Sequence, residues 1–147
     1  LHSLTATRNN PAGVEETGRA RTINRKKWQE DELNDRLSDP RGPESRVMKE
    51  YLRRLQLRTQ HAVFHPDASQ KIHDLDPGLF VVERERGKDK VLCISNFTEQ
   101  YMELKLDDRL ANLNVVDSCS DILAGQRYMG VGKVIALDPY QTVWLQF

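Results

Sequence analysis

Leu79-Phe80-Val81-Val82-Glu83-Arg84-Glu85-Arg86-Gly87-Lys88-Asp89-Lys90-Val91-Leu92-Cys93-Ile94-Ser95-Asn96 is the stretch whose reading decides the fold. It holds two β-rich runs, 79–84 and 91–96, around Arg86-Gly87-Lys88-Asp89, a hairpin signal. Downstream the period stays near 2. Residues 102–106 alternate as Met-Glu-Leu-Lys-Leu, 114–117 is a further candidate strand, and 131–137 and 142–147 flank Asp138-Pro139-Tyr140-Gln141. About six to eight short strands separated by turns predict an antiparallel sandwich, or a meander packed on a neighbour.

Upstream of Pro66 the period is that of a helix. Val47, Met48, Tyr51, Leu52, Leu55 and Ala62 recur at three- and four-residue steps, with Lys49, Glu50, Arg53, Arg54 and Arg58 on the opposite face. The spacing predicts a helix from Pro43 to about Ala62, opened by a proline whose missing N–H costs nothing in a first turn. A shorter helix is expected over 27–37, with Trp28, Leu33 and Leu37 on one stripe, ending near Asp39-Pro40. Residues 1–25 carry Pro11, Gly13, Gly18, two adjacent asparagines and four arginines, with almost no apolar periodicity. They read as a loop that needs a scaffold to shape it.

The 147 residues suit one domain or two small pieces. A charged fraction of 30% against 38% hydrophobic residues is that of a globular chain rather than a disordered one. No apolar run is long enough for a membrane helix. The opening Leu1-His2-Ser3-Leu4-Thr5 has neither a first Met nor a signal pattern and reads as a cut point. The chain is formally neutral, but residues 1–62 carry 13 basic and 9 acidic side chains and the remainder the reverse excess. Acids interleave with bases throughout, which argues against nucleic acid as a partner.

Cys93 and Cys119 form no CxxC pair, so zinc is not expected, and both read as buried reduced thiols of a cytoplasmic protein. Asn96-Phe97-Thr98 is a glycosylation sequon that matters only in a secreted chain. His61 and His65 stand at the helical spacing of a metal pair and would need a third ligand such as Asp67, but they straddle the expected helix end, so a polar helix end is expected and no metal. There is no nucleophile elbow, no P-loop and no dinucleotide fingerprint; Gly130-Val131-Gly132 reads as a turn. No cofactor is expected.

The remaining segment of interest is Gly18-Arg19-Ala20-Arg21-Thr22-Ile23-Asn24-Arg25. Its bland reading is a solvated basic loop. Its sharper reading is a set of guanidinium and amide groups that hold hydroxyls and carboxylates in fixed geometry. This segment resembles the Gly-Arg…Ile-Asn-Arg motif of sucrose phosphorylase and its relatives in glycoside hydrolase family thirteen. His2-Ser3-Leu4 and Thr7-Arg8-Asn9-Asn10 resemble the loop after the seventh barrel strand of that group, Leu55-Gln56-Leu57-Arg58 its last barrel helix, and Leu137-Asp138-Pro139-Tyr140-Gln141-Thr142-Val143-Trp144-Leu145 the closing strand of its carboxy-terminal domain.

The resemblance implies an α+β fragment: the last loop and helices of a (β/α)8 barrel over residues 1–62, then a small antiparallel β-sandwich domain over 63–147. It implies retaining glucosyl transfer between an α-glucoside and inorganic phosphate, with the nucleophile and the acid/base upstream of this chain, so that the fragment alone is inactive. Arg25 would contact the glucosyl unit, with Asn24 and Arg19 as further motif members. The motif is one residue longer than its shortest form, nearer the branch acting on glucosylglycerate or glucosylglycerol. Two other readings stand beside this one. The parent could be an α-glucosidase or amylase-type hydrolase with water as acceptor, or residues 63–147 could be a stand-alone carbohydrate-binding module. If the barrel is missing, the apolar helix stripe should pack on the β region or on a second copy of the chain, and residues 1–25 should be poorly ordered.

Overall fold

The computed structural model describes residues 2–105, 118–129 and 134–147. The expected strand at 114–117, the first part of the one at 131–137, Leu106 and the Gly130-Val131-Gly132 turn lie outside the described residues. The chain divides into two compact units, Leu1–Gln56 and Leu57–Phe147.

The first unit is helical and polar. Helix α1 (Pro11–Thr17) corrects the expectation of a structureless opening. Pro11 sits in its first turn, the Asn10 side chain accepts from the Gly13 N–H at 3.2 Å, and Gly18 closes it at φ 64°. A capping asparagine, a proline and a left-handed glycine make a helix even without apolar periodicity. A 3-10 turn (Ala20–Asn24) follows. Helix α2 (Glu30–Ser38) starts after Trp28, not before it, because Gln29 is extended. Three acids in its first turn and Arg36 in its last complement the helix dipole. Helix α3 begins at Pro43 as expected and stops at Gln60. His61 is extended, so His61 and His65 share no helical face.

The apolar stripe of α3 is turned to solvent: Val47, Tyr51, Leu52 and Leu55 are 37% to 48% exposed.

The second unit is an all-antiparallel β structure after one 3-10 turn (Ala62–Phe64). Its strands are β1 (Ser69–His73), β2 (Leu79–Arg86), β3 (Asp89–Asn96), β4 (Met102–Lys105), β5 (Ser118–Asp121), β6 (Gln126–Met129), β7 (Val134–Leu137) and β8 (Thr142–Gln146). One sheet has the order β1-β2-β3-β8-β5-β6, and β4 pairs with β7 in a second. The hairpin between β2 and β3 closes on the pair Arg86↔Asp89. Gly87 takes φ 62° at the first central position, a conformation that a two-residue hairpin needs and a side chain resists. Strands β1, β5 and β6 were not legible in advance; Ser69-Gln70-Lys71-Ile72-His73 and Ser118-Cys119-Ser120-Asp121 are short, polar and driven by pairing rather than by their own apolar pattern.

Register decides which face is core. Leu92 pairs with Glu83 and Leu145, and Ile94 with Val81 and Val143, so these side chains share one face. That face packs against Leu104 of β4 and Ile135 and Leu137 of β7, so the two sheets share one core as in a sandwich. The opposite face of the large sheet is covered in part by Val63 and Phe64. Phe64 lies 4.6 Å from Trp144, centroid to centroid. Arg84 fixes this cover to the sheet: Nε donates to the Val63 carbonyl at 2.7 Å and Nη2 to that of His65 at 3.1 Å.

The two thiols differ. Cys119 is buried, whereas Cys93 is only half-buried, and neither is bonded to another. Burial pushes both thiols up, that of Cys93 to about 11. The sequon asparagine is structural. Asn96 is buried, its amide donates to the carbonyls of Gln100 at 2.7 Å and Asp138 at 2.9 Å, and it accepts from the Thr98 N–H at 2.9 Å.

Candidate functional site

The segment that resembles the phosphorylase motif is shaped by its neighbour α1. Arg19 and Arg25 flank the 3-10 turn Ala20–Asn24, whose bonds run from Thr22 N to the Arg19 carbonyl at 2.9 Å and from Arg25 N to that of Thr22 at 3.0 Å. Asn10 N donates to the Ile23 carbonyl at 2.6 Å, and the Thr17 and Thr22 hydroxyls meet at 3.0 Å. Gly13 permits this clasp: a Cβ there would stand 3.1 Å from the Thr22 methyl and 2.4 Å from the Asn10 amide nitrogen.

Arg19, Asn24 and Arg25 are all exposed. Among the described residues none of their side chains has an ion pair or hydrogen bond. The fold thus brings the three into one short turn and leaves their polar groups available to another molecule.

Beside this turn lies a cavity of about 430 Å³ lined by Arg8, Asn9, Asn10, Lys26, Trp28, Arg36, Pro43 and Glu44. Lys26 is held twice, by Glu32 at 2.7 Å and by the Trp28 ring with its ammonium 3.7 Å from the centroid. The indole Nε1 donates to the Thr7 hydroxyl at 2.9 Å, which in turn meets that of Thr5 at 2.7 Å. His2 Nε2 donates to the Lys26 carbonyl at 2.7 Å. These contacts tie the opening segment to the entry of α2 and fix the wall of the cavity.

Glu44 is the anomaly. It is 7% exposed, and its Oε2 has no donor. An acceptor buried without a partner costs about 1–3 kcal/mol, and more when charged. From the sequence Glu44 reads as an acid in a helix first turn, favourable to the dipole. Nothing in that pattern shows that the side chain is buried or that it lines a cavity with Arg8, 36 residues away in the chain, so sequence reasoning missed it.

The second unit holds another polar cluster that the sequence did not announce. His73 Nε2 donates to Glu83 Oε2 at 2.9 Å, and Lys90 Nζ reaches Glu83 Oε1 at 2.9 Å and Glu85 at 3.2 Å. Burial pushes the Glu83 carboxyl up, but the bonds and charges of Lys90 and His73 outweigh it and hold it below its ordinary value. The bond to Glu83 holds Lys90 above its own. Every member is satisfied, which reads as a structural network. No group of three or more His, Cys, Asp or Glu suited to a metal occurs among the described residues. No helix among them is long and apolar enough to cross a membrane.

Comparison with known proteins bears on the whole chain. It is 32% identical over 145 residues to the glucosylglycerate phosphorylase of Allomeiothermus silvanus, covering 99% of this chain and 23% of the relative. The chain resembles the glucosylglycerate phosphorylases. That of Escherichia coli K12 is 28% identical over 147 residues, with 99% of this chain and 24% of the relative covered. The chain thus spans about a quarter of the length of the curated relatives it matches. No family model matches it. Among solved structures, an Anoxybacillus α-amylase superposes with a TM-score of 0.60 at 18% identity, over 82% of this chain and 26% of that one. At that identity the likeness is one of fold: an α+β piece with antiparallel sheet, as found in a glycosyl hydrolase.

Proposed function

We propose that this chain is the closing part of an α-glucoside phosphorylase that moves a glucosyl unit between glucosylglycerate and inorganic phosphate. The observation that carries the reading is similarity over 99% of the chain to glucosylglycerate phosphorylases of two different bacteria. In this reading residues 1–62 close the catalytic barrel, and residues 63–147 form the β domain that follows it. The exposed stripe of α3 supports the assignment, since an amphipathic helix with Leu52 and Leu55 in solvent suits a further layer packed against it.

Retaining transfer needs one carboxylate to attack the anomeric carbon and a second to serve as acid and then base. Both would belong to the rest of the polypeptide, and the present chain alone would be inactive. Arg25 would orient the glucosyl hydroxyls and hold the neighbouring acids in register, with Asn24 and Arg19 shaping the turn that presents it. The three exposed polar groups on one clasped turn are what such a role requires.

The test is phosphorolysis by the longer polypeptide that carries this chain. Glucose 1-phosphate released from glucosylglycerate only when phosphate is present is the expected result. Glucose released at the same rate without phosphate would make it a hydrolase instead. Arg25→Ala should lower turnover at least tenfold, about 1.4 kcal/mol of transition-state stabilisation. An unchanged rate would remove Arg25 from the site.

A further inference from the structure

The turn that carries Arg19, Asn24 and Arg25 hangs on one hydroxyl. Thr17 is the last residue of α1, and its Oγ1 donates to the Gly13 carbonyl at 2.7 Å, one helical turn back. A threonine hydroxyl has one proton and two lone pairs. With its proton given to Gly13, Thr17 Oγ1 can only accept from its other neighbours. These are the Arg19 N–H at 3.3 Å and the Thr22 hydroxyl at 3.0 Å, so Thr22 is the donor in that contact. The Thr17 oxygen therefore fixes both the entry and the middle of the turn.

From Thr22 the path runs on to Arg25, whose N–H donates to the Thr22 carbonyl at 3.0 Å. Packing does not hold this geometry. The chain reverses at Gly18, where a Cβ would meet nothing within 4 Å. Every residue from Gly18 to Arg25 except Thr22 is exposed. Apart from the bond between Asn10 N and the Ile23 carbonyl, the contacts from α1 to the turn converge on Thr17 and on Thr22.

We propose that Thr17 is a positioning residue for glucosyl transfer: its hydroxyl sets where Arg25 presents its guanidinium. The inference rests on the role proposed above for Arg25, and Thr17 itself touches no substrate. A misplacement of about 1 Å in an orienting group can cost on the order of a hundredfold in rate. Loss of an anchor in an otherwise exposed turn therefore reaches the chemistry.

The test uses the longer polypeptide that carries this chain. Thr17→Val keeps the side-chain shape and removes the hydroxyl, whereas Thr17→Ser keeps the hydroxyl. Thr17→Val should lower kcat at least about tenfold, and Thr17→Ser should retain most of it. An unchanged kcat in Thr17→Val would overturn the proposal, and an equal loss in Thr17→Ser would assign the effect to packing instead of the hydroxyl. A double-mutant cycle gives a readout that a merely structural role would not move. In an Arg25→Ala background Thr17→Val should cause no further loss, because it acts through Arg25. A loss of the same size in both backgrounds would overturn the proposal.

Amide hydrogen exchange of the present chain reads the geometry without any activity. Thr17→Val should speed exchange at Thr22 and Arg25 at least about tenfold and leave β3 and β8 unchanged. Equal exchange at Thr22 and Arg25 would show that the hydroxyl does not hold the turn. The two readings fail separately. A slow Arg25→Ala beside a normal Thr17→Val sinks only the positioning role. Glucose release without phosphate sinks only the phosphorylase reading, since the same variants can then be compared on hydrolysis.

Discussion

Residues 1–56 and 57–147 are held together by different forces. Every buried apolar side chain among the described residues belongs to the second region, from Val63 to Leu145. The first region buries Thr5, Gly13 and Glu44, none of them a large apolar side chain. Its shape comes from caps, a threonine clasp, one cation on an indole and the ion pairs Lys26–Glu32 and Glu50–Arg53, while Val47, Tyr51, Leu52 and Leu55 of α3 are exposed. The second region has the alternation of β2, β3 and β8 turned into a closed core. The difference teaches that a closed hydrophobic core holds the second region, whereas polar contacts hold the first. Its polar groups are positioned, but its own hydrophobic burial is too small to offset the entropy of ordering it.

The sharpest way to break that contrast is a matched pair of truncations. Leu92→Ala in the β core should cost about 3 kcal/mol, while Leu52→Ala on the α3 stripe should change stability by less than about 0.5 kcal/mol. Urea unfolding of the chain measures both. A comparable loss at Leu52 would mean that the stripe is covered in solution.

Next comes the polar network behind the hairpin. Glu83→Gln leaves Lys90 and His73 facing an uncharged amide in a buried place and should cost about 3 kcal/mol near neutrality. The pH profile sharpens it. The Glu83 carboxyl is held below 4.5, so its contribution is present above that pH and is lost as pH falls through the folded value. Lys90 is held above 10.5, so its contribution is present below that pH and is lost as pH rises through the folded value. The contribution of the Glu83–Lys90 pair should be flat between these limits and fall outside them, and Glu83→Gln should remove both flanks of that contribution. A variant with the parent's pH profile would show that the network does not act as a unit.

The smallest effect is expected at the hairpin turn. Gly87→Ala places a Cβ at φ 62°, in open space, so only the backbone penalty of about 1 kcal/mol applies. Hydrogen exchange completes the comparison. Amides of β3 and β8 should exchange only on global unfolding, whereas those of α1 and the turn Ala20–Asn24 should exchange by local opening. Equal protection in both regions would contradict a first region without a core of its own.

The hairpin, the long amphipathic helix and the switch of period near Pro66 were legible, because each is a local repeat of side chains. The helix α1 was legible in principle from Asn10, Pro11 and Gly18, but caps without apolar periodicity were read as loop. Strands β1 and β5 were not legible, since partners supply their hydrogen bonds and polar residues suffice at such positions. Of the candidate site, the arginines and Asn24 were named from their motif. The cavity beside them was not, because it assembles Arg8, Lys26, Arg36 and Glu44 from four separate segments.

What the sequence determined by itself is the set of local tendencies: two helical stripes, a glycine-turned hairpin, alternating strands and a run of motif residues with a recognisable likeness. These depend on neighbours within a few positions, where geometry follows from residue type. Tertiary structure alone decided which face of β2 and β3 is core, that the sequon asparagine is a buried strut, that Cys93 is half-buried, and that Glu44 lacks a donor. Each of those depends on atoms brought together from distant parts of the chain, and burial and electrostatics act through space rather than along the backbone.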